Sequence, residues 1–392
     1  METLFTVGAG PVDVYPEVRA AFTRRVPGDD DPDFLRFYER VDAKLTRALR
    51  TATPAVILQS EAILGIEAAA AALIARDDVV LNLASGLYGK GFGSWAARFT
   101  DRPLLEIEVP DDEAIDPAAV EAMFASHPEI RVVSVVHHET PTGCLNPVRE
   151  IGAIVRRHGA FLIVDAVSSF GGMDVHPDDI QSDVFVAGSA KCLGSAPGLT
   201  LLGVSARGWE KIAANPAAPF ASILSIKDWR EAHHADRGFP FTPLSAEVHG
   251  LDAALDRYLN EGPPRVWARH AAAARAARAG ARAMGLALWP RDEAIASPTL
   301  TALRMPAGVD ARSVVAEARR RYGVMLSAGV EGHAHEIVRI GHMGPTAHAT
   351  FAVLALCALG GARRALGSRV DVGSGTEAAL AAADAAAAEQ TG

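Results

Sequence analysis

Between Asp33 and Arg50 the apolar residues Phe34, Phe37, Val41, Leu45 and Leu49 recur every three or four positions. They therefore share one face of an amphipathic helix. A different texture follows, in which short uninterrupted apolar runs stand at Ala55–Leu58, Val79–Leu83, Leu104–Val109, Arg131–Val136, Ala160–Asp165, Val184–Gly188 and Leu201–Ser205. Runs of that length without alternation read as strands buried on both faces. Helix signals separate them. Asp116-Pro117 couples an N-capping carboxylate to a proline at the first turn, and Gly159 closes the helix that begins near Pro147. Strands alternating with helices build βαβ units and a mostly parallel sheet, whose ligands sit at the carboxyl ends of the strands.

From about Leu251 the pattern changes. A long Ala/Arg-rich helical segment, Val266–Met284, leads into the strand Thr299–Met305, the helix Asp310–Arg321, and the strands Val324–Leu326 and Ile337–His342. An Ala-rich tail helix, Glu377–Glu389, follows. The expectation is a large α/β domain with an N-terminal arm over residues 1–255 and a smaller α+β domain over residues 256–392. No internal repeat is visible.

Composition narrows the classes. A chain of 392 residues is long enough for two domains with a sizeable core. Lys plus Arg number 38 and Asp plus Glu 47, a formal charge of −9. That balance excludes a protein that grips nucleic acid through a basic face. An apolar fraction of 49% excludes a largely disordered chain. The charge-free stretch Cys192–Ala206 is broken by Gly and Pro and falls short of the roughly 20 residues a membrane helix needs. The first residues, Met1–Pro11, carry neither the basic nor the apolar region of a secretory signal. Cys144, Cys192 and Cys357 are far apart with no CxxC spacing, so a reducing, cytoplasmic setting is expected.

Candidate chemistry collects at the strand ends. Lys191 follows the run Val184–Gly188 and precedes a turn-rich, uncharged segment. On its own it also fits a loop lysine, but an amine held there is desolvated and so lowered in pKa, as a Schiff-base nucleophile requires. Asp165 ends the run Ala160–Val164, where a carboxylate needs a partner or else merely caps the turn that follows. An acid and an amine on neighbouring strand ends suit pyridoxal chemistry: the acid keeps the pyridine nitrogen protonated and the amine forms the imine and moves protons. Tyr88, in the Gly-rich turn Ser85–Gly91, can stack on a flat ring or be a core aromatic; that turn fits neither nucleotide-loop pattern. His137-His138-Glu139-Thr140 brings hydrogen-bonding side chains to the same edge. Arg339 can clamp a carboxylate or simply pair at the surface. The local pairs His137/His138, His233/His234 and His333/His335 lack a third ligand at useful spacing, so no metal site is expected.

Ala9-Gly10-Pro11-Val12, Val164-Asp165-Ala166-Val167-Ser168-Ser169 and Ser189-Ala190-Lys191 together resemble the class V aminotransferases over almost the whole chain. The resemblance implies the fold-type I architecture, Tyr88 stacked on the pyridoxal ring, Asp165 at its nitrogen, and Lys191 as Schiff base and proton shuttle. It further implies Thr140 and Phe239 among the ring-binding positions, Arg339 on the substrate carboxylate, and a homodimer or homotetramer with the site at the interface.

Departures from the family pattern carry further expectations. Where the family has a Ser/Gly-rich phosphate turn, this chain reads Gln59-Ser60-Glu61-Ala62, and a carboxylate about 4 Å from a phosphate charge is repelled by roughly 4 kcal/mol at an effective dielectric near 20. That is on the order of a thousandfold in affinity. The phosphate-donating Tyr-x-x-Thr segment reads Phe239-Pro240-Phe241-Thr242, without the phenol. Within the family the likeness is to a member that takes vitamin B6 itself as substrate, through segments such as Leu81–Phe92 and Arg339–Pro345. By that likeness Glu61 accepts a hydrogen bond from the 5′-hydroxymethyl group. The expected substrates are pyridoxamine and pyruvate, with no tightly held pyridoxal phosphate; the alternative is an ordinary phosphate-dependent member of alanine/serine–glyoxylate type. Val330 stands where that member has a second arginine, leaving Arg339 as the one evident carboxylate clamp.

Overall fold

A computed structural model describes residues 2–234 and 236–391. Seven strands form the main sheet: β1 (Val56–Leu58), β2 (Val79–Ala84), β3 (Leu105–Glu108), β4 (Ile130–Val136), β5 (Phe161–Asp165), β6 (Val184–Gly188) and β7 (Thr200–Val204). Their spatial order is β1-β7-β6-β5-β4-β2-β3. Every pairing is parallel except those of β7, which runs antiparallel to both β1 and β6. The expected strands are recovered to within a residue or so at each end. The apolar runs lack alternation because both faces are covered. Leu81, Leu83, Val133, Val135, Leu162 and Val164 enter one core, while Val80, Val132, Val136, Ile163, Val184 and Val186 enter the other.

The expected helix signals act as described. Pro32–Leu49 starts where Asp31 accepts a hydrogen bond from Asp33 N and ends at Arg50 in the left-handed region. Asp116 caps Pro117–Ser126 through Ala118 N. Ala62–Leu73 packs its near-continuous alanine face on β6 and β7, where only a small side chain lets helix and sheet approach closely. The change of texture near Leu251 falls inside the helix Ser245–Glu261, whose Val248, Leu251, Leu255 and Tyr258 belong to the main core. Gly262 then turns the chain into the helix Pro263–Ala283.

A second, antiparallel sheet orders Ala287–Leu288, Leu300–Arg304, Ile337–Gly341 and Ser327–Ala328. Helices Pro263–Ala283, Ala311–Tyr322 and Ala349–Ala365 cover it, and the tail helix Val372–Thr391 docks on Pro263–Ala283. No described helix is long and apolar enough to cross a membrane.

The N-terminal arm threads between this second sheet and the main one. Phe5–Thr6 pairs in parallel with Val324–Met325, Gly341 N donates to Val7 O at 2.7 Å, and Ala9 N donates to Ser327 Oγ at 3.0 Å. Gly341 has to be glycine because a Cβ there would lie 1.9 Å from the carbonyl oxygen of Gly8. Gly341→Ala is expected to force arm and sheet apart and to lower unfolding stability by about 1–3 kcal/mol, read as a reduced urea midpoint.

Candidate active site

Parallel strands end together, and the register decides which residues meet. Asp165 lies level with Val136 on one side and Val186 on the other. The chain leaving β4 therefore presents His137 and His138 beside it, and the chain leaving β6 returns Lys191 to the same edge. Glu61, after β1, and Tyr88, after β2, complete a cleft also lined by Val167 and Ser168, enclosing about 370 Å³ of space open to solvent.

Charge is distributed unusually in this cleft. Lys191 Nζ donates to Ala9 O at 3.2 Å, and Asp165 Oδ1 accepts from Val167 N at 2.9 Å. Arg339 Nε and Nη2 donate to Ala328 O at 3.0 and 2.7 Å, and its Nη1 donates to Thr140 O at 3.1 Å. All of these partners are backbone groups, and none of the three charged side chains is in an ion pair among the described residues. Burial pushes the Asp165 carboxyl up to about 6, with the Val167 N–H and the Lys191 charge acting in the opposite direction. Burial likewise lowers the Lys191 amine. An amine, an acid and a guanidinium thus share a desolvated edge with their pairing capacity unspent. Gly10, at φ +98°, makes room for this: a Cβ there would sit 2.7 Å from Lys191 Nζ.

The remaining expected residues divide. Glu61 is exposed and caps the helix Ala62–Leu73, accepting from Ile63 N at 3.0 Å. Thr140 is buried and reaches the cleft indirectly, through a 2.6 Å hydrogen bond to Ser168 Oγ. Phe239 is not brought to its own chain's cleft; it packs against Phe34, Tyr38 and Trp229. Val330 caps the short turn Glu331–His333 after the strand Ser327–Ala328. Cys192, next to Lys191, is buried and its thiol is pushed up to about 12 by desolvation. Among the described residues none of the three histidine pairs belongs to a convergent group of three ligands. Among the described residues Asp174, His176 and Asp179 converge instead, but Arg50 already ion-pairs with both carboxylates.

Two residues gain a definition that residue type alone did not supply. Glu139 is fully buried and accepts from Gly89 N at 2.6 Å and Tyr88 N at 3.2 Å. It anchors the helix Leu87–Ala96 that carries Tyr88, while burial raises its carboxyl to about 7. His138 is also buried, and Nδ1 lies 3.1 Å from Ser168 O and 3.1 Å from Thr299 Oγ1. A signal for both existed in the polar run after β4, but their partners are distant in sequence.

Comparison with known proteins gives a consistent picture. The family model for aminotransferase class V matches residues 93–353. A pyridoxamine–pyruvate transaminase from Mesorhizobium japonicum is 57% identical over 384 residues, covering 98% of each chain. A crystal structure of pyridoxamine–pyruvate aminotransferase from Mesorhizobium loti superposes with a TM-score of 0.96 at 57% identity, again over 98% of each chain. The ureidoglycine–glyoxylate aminotransferase of Bacillus subtilis superposes at 0.92 with 26% identity, over 98% of each chain.

Glu139→Ala is expected to strand two buried N–H groups beneath Tyr88. The loss of stability should be about 1–3 kcal/mol, measured by urea unfolding.

Proposed function

The chain belongs to the class V aminotransferases, and from that premise we propose that it exchanges the amino group between pyridoxamine and pyruvate, giving pyridoxal and L-alanine. The family as a whole depends on pyridoxal phosphate; the finer reading is that here the unphosphorylated vitamer is a substrate. The observation that carries it is Glu61. A helix N-terminus at the mouth of such a cleft is where a phosphate would find free N–H groups and a favourable dipole. In this chain the N-terminus of Ala62–Leu73 already holds the Glu61 carboxylate. The likeness to the 57% identical Mesorhizobium transaminase supports the same reading.

The cleft suits a pyridoxal-type ring. Asp165 has one carboxylate oxygen on Val167 N and is left needing a cationic donor, which a protonated pyridine nitrogen supplies. When bound, the protonated ring provides the electron sink for moving the amino group. The roles assigned to the protein are these. Asp165 holds the proton on the ring nitrogen. Lys191 Nζ, its pKa lowered by burial, serves as the amine that meets the 4′ carbon and carries the proton between that carbon and the substrate Cα. Arg339 is fixed by Ala328 O and Thr140 O so that its remaining N–H groups meet the oxo-acid carboxylate. Tyr88, anchored from below by Glu139, covers the ring. With Val330 offering no second cation, Arg339 is assigned as the sole carboxylate clamp.

The reading includes an assembly of at least two copies. Ile63, Leu64, Phe241 and Leu244 are exposed, and the Gln59 amide donates to Thr242 O at 3.0 Å, tying the Phe241–Leu244 segment to the cleft mouth. An apolar rim of this kind is what a second copy would cover.

The direct assay supplies pyridoxamine and pyruvate and measures pyridoxal and L-alanine; absence of exchange, with phosphate-dependent exchange in its place, overturns the proposal. Lys191→Ala is expected to reduce exchange by about 1,000-fold or more. Vitamer affinity is expected to weaken as the pH falls through about 6, because Asp165 is then protonated and offers no charge to the ring nitrogen. In Asp165→Asn that component of the pH dependence disappears. Glu61→Ser is expected to raise affinity for pyridoxal phosphate by about 10- to 100-fold. This is less than a close charge pair at an effective dielectric near 20 would give, because Glu61 is solvent-exposed and screened.

A further inference from the structure

His138 lines the same cleft as Lys191 and Asp165, yet none of the roles above uses it. Its imidazole is 2% exposed. On one side Nδ1 lies 3.1 Å from the Ser168 carbonyl oxygen, 3.1 Å from Thr299 Oγ1 and 3.4 Å from Ser297 Oγ. A carbonyl only accepts, and the Thr299 hydroxyl itself donates to that carbonyl, so the proton belongs on Nδ1. Nε2 then carries a lone pair, and it is buried without a hydrogen-bond partner among the described residues. An acceptor left this way is destabilising until something donates to it.

The surroundings indicate what that donor is. Burial pushes the His138 imidazole down to about 3, and the positive charges of Lys191 and Arg339 push in the same direction, with the Ser168 carbonyl opposing. The ring therefore stays uncharged at neutral pH and lies within the field of both cations. In the proposed exchange the transferred nitrogen lies between the amine that meets the 4′ carbon and the guanidinium that meets the carboxylate, and His138 lines the same cleft as that amine. A carboxylate acceptor there would pair with Lys191 or Arg339 and cancel them; an uncharged imidazole accepts an N–H and leaves both free.

We propose that the unbonded Nε2 of His138 accepts a hydrogen bond from the 4′-amino group of pyridoxamine, making His138 a specificity-determining residue for the amino donor. This inference rests on the amine-exchange reading and adds to it a reason why the aminomethyl group, and not the ring alone, is recognised.

The test compares equilibrium binding of pyridoxamine with that of 4-deoxypyridoxine, which has the same ring and a methyl group with no N–H at that carbon. For the unaltered chain, pyridoxamine should bind about 10-fold tighter or more. His138→Phe, which keeps a flat ring and removes the acceptor, should lower this ratio by about 10-fold and leave 4-deoxypyridoxine affinity nearly unchanged. His138→Gln, which restores an acceptor, should recover part of the ratio. In the unaltered protein the nitrogen-15 resonance of His138 Nε2 should shift on adding pyridoxamine and not on adding 4-deoxypyridoxine, a readout independent of whether the variants fold. An unchanged ratio in His138→Phe, an equal loss for both ligands, or an unmoved resonance overturns the role. If the unaltered protein exchanges amino groups and the ratio is still insensitive to His138, this inference alone fails. If it binds neither vitamer, the amine-exchange reading fails with it.

Discussion

The structure depends on keeping an amine and a carboxylate buried at one sheet edge without letting them neutralise each other. Lys191 and Asp165 face the same cleft, and each is satisfied only by a backbone group, Ala9 O and Val167 N respectively. Two opposite charges in a poorly solvated site attract strongly, and direct pairing would consume both. Holding them on separate strand ends, with the amine turned toward the arm, leaves the interaction available to a ligand that carries a cationic N–H at one end and an electrophilic carbon at the other.

That separation is maintained by contacts from every part of the chain. The arm that supplies Ala9 O is fastened by Ser327 Oγ and by Gly341 N to the second sheet, the sheet that also carries Arg339. Arg339 in turn reaches back to Thr140 O on the main body, and Thr140 Oγ1 meets Ser168 Oγ at the cleft wall. Lys191, Arg339 and the Ser168 wall of the cleft are therefore linked through one continuous set of hydrogen bonds between the two sheets. A displacement of the second sheet would move Arg339 and the backbone partner of Lys191 together.

Much of the scaffold was legible because burial on both faces writes an uninterrupted apolar run for each strand, and Asp165 stood out by ending one. Lys191 was legible through the uncharged turn that follows it. Other features depend on pairings no local pattern encodes. Residues 5–6 pair with 324–325, and His138 is oriented by Ser168 and Thr299. Glu139 read as one polar residue among four until its two bonds to the turn at Tyr88 were visible. Phe239 illustrates the converse: its position in a family segment pointed toward the ring, whereas within its own chain it fills an aromatic cluster with Tyr38 and Trp229. Glu61 reads in the sequence as an anion where the family resemblance puts a phosphate turn, but its exposure at a helix N-terminus is a property of the folded chain alone.

Under the proposed function this cleft is built for an unphosphorylated ring whose 4′ carbon meets Lys191. The most direct measurement is an absorbance titration of the purified protein with pyridoxal and, separately, with pyridoxal phosphate. A visible imine band should saturate at lower concentration with pyridoxal than with the phosphate ester and be absent in Lys191→Ala. A protein isolated already carrying the phosphate ester, or binding it more tightly than pyridoxal, would rule out a site made for the unphosphorylated ring.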